Sequence, residues 1–173
     1  MKTNIKKLTF SAVLIAMQII LSRFLSFQAY NMKIGFSFVP VVIAAYMLGP
    51  FYTMFIAAIS DVIGAICFPS GSFFIGFTVT AVISGFIYSL FLYKKKAHIK
   101  NIIIMTFINQ IICSLLLNTF WISILYKTSF IAILVTRLLQ SLIMTLVIIL
   151  VTSLICFSSN KIINKLKLEV DRI

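Results

Sequence analysis

The chain has 173 residues, 62% of them hydrophobic and only 10% charged, with a mean hydropathy of +1.16. A water-soluble core of this length has no use for so much apolar surface, so composition assigns the chain to a lipid bilayer, where a spanning helix takes about 20 apolar residues. The formal charge of +12 is gathered between apolar runs, without a soluble basic domain or interleaved aromatics, which argues against a nucleic-acid partner.

Lys2, Lys6 and Lys7 lead into a first helix expected over about 8–25. A basic stretch before LTFSAVLIAMQIILS has the form of a signal peptide. No small-x-small cleavage site follows, however, and Arg23 and Phe24 continue the pattern, so the segment is read as retained. Residues 26–35, SFQAYNMKIG, read as a polar loop. A second helix over about 36–48 is short, hence tilted or partly interfacial, and turns at Gly49-Pro50. The third covers about 51–67 and stops at Pro69-Ser70-Gly71, and the fourth covers about 73–93 and ends on Lys94, Lys95 and Lys96, with Lys100 just beyond. A fifth over about 101–122 and a sixth over about 130–157 precede a tail carrying Lys161, Lys165, Lys167 and Arg172.

Six crossings return the three basic clusters to one side, and positively charged loops stay cytoplasmic, so both termini are expected there. The expected fold is therefore an all-α integral membrane protein, one six-helix domain over 1–173 in a cell membrane. Barrel strands would instead show alternating runs of about ten residues.

Few residues carry chemistry. Cys67, Cys113 and Cys156 lie in separate apolar runs without metal-type spacing and read as small hydrophobes, and His98 lies among lysines. Outside the basic clusters stand Arg23, Lys33, Lys127 and Arg137. Lys33 and Lys127 either snorkel to the interface or meet a ligand, whereas Arg137, about two turns inside the sixth helix, calls for a cavity or a partner. Asp61 is the single acid between Lys33 and Lys94. It either pairs with Arg23 or Arg137 or accepts hydrogen bonds from a ligand.

The stretch FPSGSFFIGFT breaks a helix and then supplies Phe73, Phe74 and Phe77 around Gly76 and Thr78. LNTFW adds Asn118, an edge reader, and Trp121, either a stacking face or an interfacial anchor. Stacking faces, amide edges and arginines make a coherent set for a flat ring that bears carboxylates. Ala12 and Ala16 form a small-x-x-x-small pair, and Gly76, Thr80 and Ser84 form a second small stripe, both suited to close helix packing. No G-x-x-x-x-G-K-[ST] loop, metal cluster or nucleophile–base set is present in the sequence, so an enzyme is not expected, and neither a cofactor nor a metal.

The segments RFLSF…KIGFSFVP, SDVIGAICFPSGSFFIGFT and LNTFW resemble the folate-specific S-components, of FolT type, of energy-coupling factor (ECF) transporters. The likeness runs in order from about residue 12 to 137, and departs from the family where Ile75 stands in place of an expected Pro before Gly76-Phe77-Thr78. The resemblance implies a high-affinity folate pocket facing outward, made from Arg23, Lys33, Asp61, Phe73, Phe74, Phe77, Thr78, Asn118, Trp121 and Arg137. It implies a gating loop at Pro69, Ser70 and Gly71, and contacts from Ala12 and Ala16 to a transmembrane coupling subunit (EcfT type). That subunit works with two ATPases (EcfA type), and the S-component topples in the bacterial cytoplasmic membrane to deliver its ligand. The rival readings are an S-component for another vitamin and a small membrane scaffold. A pocket for cationic thiamin would favour acids over the cations seen here, and a scaffold would bind no ligand saturably.

Overall fold

The computed structural model describes residues 2–29, 32–69, 74–95 and 98–158, with the backbone alone at 2–4, 27–29, 32, 33 and 158. Six helices run among the described residues: α1 Lys2–Arg23, α2 Phe38–Met47, α3 Pro50–Cys67, α4 Ile75–Leu92, α5 Ile99–Tyr126 and α6 Phe130–Ser158. All but α2 are long and apolar enough to span a bilayer. α2 has ten residues, about 15 Å of helix, and is buried along most of its length. α1 takes in Lys6 and Lys7, which were expected ahead of it, and α5 continues past residue 122 to Tyr126.

The polar loop expected over 26–35 is instead an antiparallel hairpin, β1 Ser26–Ala29 with β2 Met32–Gly35. Ser26 pairs with Gly35, and a Cβ on Gly35 would come within 2.7 Å of the Ser26 Cβ, so this pairing needs glycine. The hairpin, the end of α3, the start of α4 and the α5–α6 connection share one end of the bundle, and the Lys94–Lys95 turn marks the other.

The burial pattern is that of a protein solvated by lipid. On α6 the buried positions Ile133, Arg137, Gln140, Ser141, Thr145, Ile148, Thr152 and Cys156 follow the helical repeat as one stripe. Leu139, Leu142, Leu146, Leu150 and Leu154 occupy the opposite, exposed face. In water such a surface would aggregate, whereas in acyl chains it costs nothing. Four hydroxyls inside the bundle close their own bonds: those of Thr53, Ser89, Thr106 and Thr145 donate to the carbonyl four residues back. α3 and α4 approach closely at Gly85, where a Cβ would lie 3.2 Å from the Thr53 carbonyl oxygen.

α2 turns into α3 at Gly49, whose φ of 86° is in the region that favours glycine, with Pro50 opening the next helix. Within α5, residues Gln110–Asn118 are wound as a π-helix. Such widened turns are rare and gather at functional sites.

Candidate functional site

A cavity of about 430 Å³ opens inside the bundle, within the size range of small-molecule sites. Every helix and the hairpin contribute to its wall, including Gln18 and Arg23 from α1, Asp61 from α3 and Phe77 and Tyr88 from α4. The π-wound part of α5 presents Gln110, Cys113, Ser114 and Asn118 to it, and α6 presents Arg137, Gln140, Met144 and Ile148. Arg23 and Arg137 are the cations of the described lining and Asp61 is its acid.

Arg23 and Asp61 are each positioned by a local feature. The Arg23 guanidinium reaches across to α3 because Gly64 has no side chain: a Cβ there would lie 3.1 Å from Nε and 3.4 Å from Nη2. Gly64 is three residues past Asp61, one turn along the same helix face, so Arg23 and Asp61 share a corner of the cavity. The Asp61 Oδ2 accepts a 2.7 Å hydrogen bond from the Thr78 hydroxyl, which joins α3 to α4. Arg137 is 6% exposed, and its Nε is buried without a hydrogen-bond partner. Arg137 also lines the cavity, so it sets a buried positive charge beside whatever fills that space.

The family model for the substrate-specific component of ECF transporters matches residues 6–156. The chain belongs to that family. It is 34% identical over 143 residues to a folate transporter FolT of Clostridium novyi (strain NT), covering 83% of this chain and 82% of that one. It is 42% identical over 93 residues to a folate transporter FolT of Leuconostoc mesenteroides subsp. mesenteroides, covering 54% of this chain and 50% of that one. Among solved structures, it resembles a FolT crystallised with folic acid, with a TM-score of 0.85 at 30% identity, covering 88% of this chain and 93% of that one.

Of the residues singled out from sequence, this S-component brings Arg23, Asp61, Phe77, Asn118 and Arg137 to one cavity, with Pro69 at its wall. Thr78 stands one step back, bonded to Asp61. Phe74 and Trp121 stand apart from the described lining: their rings meet at 5.5 Å, and the indole Nε1–H donates to the Thr80 hydroxyl. Lys33 sits on β2 opposite Gln28, with its side chain outside the described residues. Ser70, Gly71 and Phe73 lie outside the described residues as well. Ala12 and Ala16 are exposed on α1, on the face turned away from the buried Ser11, Leu14 and Gln18.

Sequence reasoning passed over the uncharged polar lining, chiefly Gln18, Asn109, Gln110 and Gln140, together with Tyr88. The signal was present. An amide in an apolar helix is costly against lipid and so must face protein or a cavity.

Proposed function

We propose that this S-component binds folate, or a close relative of it, with high affinity in the 430 Å³ cavity, and hands it to a coupling subunit for import. One observation carries the reading: Arg23, Arg137, Asp61, Asn118 and Phe77 converge on one cavity in a fold similar to a FolT crystallised with folic acid. The ligand's carboxylates suit the arginines, its fused ring suits the Phe77 face, and its ring N–H groups suit Asn118 and the Asp61 carboxylate. Phe73, Lys33 and the segment Pro69-Ser70-Gly71 belong to the same reading as wall, loop contact and gate.

The hairpin end then faces outside and the basic end the cytoplasm, in keeping with the positive-inside rule. Import needs energy from elsewhere, and two ATPases joined through a transmembrane coupling subunit supply it. The chain thus works as the specificity subunit of a transporter in a bacterial cytoplasmic membrane, and not as an enzyme.

Titration calorimetry of the detergent-purified protein with folate, and with thiamin and riboflavin as controls, tests the reading. Saturable heat at sub-micromolar folate alone is the expected result. Heat from thiamin or riboflavin instead, or from none of the three, would overturn it.

A further inference from the structure

We infer that Gly64 and Thr78 are positioning residues of the ligand site, which hold Arg23 and Asp61 in place before a ligand arrives. The inference rests on the folate reading above and adds two residues that stand behind the cavity wall.

Arg23 and Asp61 belong to the described lining, whereas Gly64 and Thr78 are buried outside it. Whatever these two do for a ligand, they do through their neighbours.

Gly64 acts on Arg23. A Cβ at Gly64 would lie 3.1 Å from Nε, 3.4 Å from Nη2 and 3.7 Å from Cζ. With Cζ the farthest of the three, the guanidinium stands edge-on to α3, and Nη1, opposite that edge, points away from the helix. A methyl at 64 would push the group along that axis by a few tenths of an ångström. Such a shift is comparable with the tolerance of a preorganised site, about 0.5 Å.

Thr78 acts on Asp61. Inside the bundle, Thr53, Thr106 and Thr145 donate to the carbonyl four residues back on their own helices. Thr78 departs from that pattern. From the first turn of α4 its hydroxyl donates across to Asp61 Oδ2 on α3, at 2.7 Å. The one hydroxyl proton is thus committed to the carboxylate, and it fixes one oxygen of a group that lines the cavity. A charged side chain that is already held gives up less freedom when a ligand binds.

Dissociation constants for folate, measured by titration calorimetry on the detergent-purified protein, test both residues. Thr78→Val keeps the shape and removes the donor, and should bind folate about tenfold more weakly. Thr78→Ser, which restores the hydroxyl, should return to within about twofold of the wild type. In an Asp61→Leu background the Thr78→Val loss should vanish, since the group it acts through is gone. Gly64→Ala should lower affinity by about threefold and Gly64→Val by about tenfold. Neither loss should appear in an Arg23→Met background. Alanine is the better helix former, so Gly64→Ala should melt no lower than the wild type, opposite to the effect of a packing defect. Thr78→Ser binding as weakly as Thr78→Val, or a Thr78→Val loss that persists in full without Asp61, overturns the role of Thr78. A loss at Gly64 that persists without the Arg23 guanidinium, or no loss in either variant, overturns that of Gly64. A wild type that does not bind folate sinks the folate reading, and this inference with it.

Discussion

The indole Nε1–H of Trp121 donates to the hydroxyl of Thr80 at 3.1 Å, across the contact between α5 and α4. Thr80 passes the bond on to the carbonyl of Gly76, one turn back, at 3.0 Å. A Cβ on Gly76 would come within 2.5 Å of the indole ring, so glycine makes the space in which Trp121 lies. The indole thus clamps α4 to α5 behind the cavity wall. Trp121→Phe should keep the ring contact and lose the bond, lowering thermal stability by about 1 kcal/mol. Folate affinity should stay within about threefold, a change of ~0.6 kcal/mol. Calorimetric titration beside a thermal melt checks both, and a tenfold loss of affinity would put the indole in contact with the ligand.

Arg137 should show effects of opposite sign on stability and on binding. Its guanidinium is buried, with Nε lacking a partner. An apolar side chain of similar length removes an uncompensated desolvation cost, so Arg137→Met should leave the ligand-free protein as stable as the wild type or more stable by about 1 kcal/mol. Folate affinity should fall by about 100-fold, since a charge-assisted contact in a dry site is worth ~3 kcal/mol. A variant that loses stability and affinity together would make Arg137 a structural brace.

How much of this was legible in the sequence follows from what a bilayer makes expensive. Asp61 and Arg137 stood out because a charge inside an apolar run needs a reason, and both line the cavity. Helix punctuation at Gly49-Pro50 was readable because the two residues act through local backbone geometry. The hairpin at 26–35 was not, since its strands are four residues each and their pairing is set by Gly35 lying against Ser26, a contact between distant positions. Nor was the π-wound stretch of α5, because QIICSLLLN has the periodicity of any apolar helix. Trp121 near a helix end fits an interfacial anchor, a ligand face and a clamp equally well. Its bond to Thr80, 41 residues away, is visible only in the fold.

Gly49 carries two constraints at once. Its φ is 86°, and a Cβ would lie 2.9 Å from the Tyr93 ring, which packs over the α2–α3 turn. Gly49→Ala should cost about 2–4 kcal/mol, from backbone strain and overpacking together. Adding Tyr93→Ala should relieve the overpacking and leave the strain, so thermal melts of the double variant relative to Tyr93→Ala alone should show a smaller penalty, of about 1–2 kcal/mol. A single variant as stable as the wild type would mean that the turn can be rebuilt without a left-handed residue.

Substitutions at Ala12 and Ala16 should separate docking from binding. Both are exposed on α1, one turn apart, while Ser11, Leu14 and Gln18 face the bundle. Bulk added at either alanine therefore projects away from the cavity and into the groove that a partner helix would need. Ala12→Trp and Ala16→Trp should bind folate with affinity unchanged to within about twofold, ~0.4 kcal/mol. Folate uptake by cells that also carry the coupling subunit and its ATPases should fall by about tenfold or more, the effect of losing ~1.4 kcal/mol or more of docking energy. Co-purification with the coupling subunit should fall in parallel. Retained uptake with retained co-purification would move the docking surface to another face of the bundle. Loss of folate binding would show instead that α1 is packed too tightly for its outer face to be independent of the cavity.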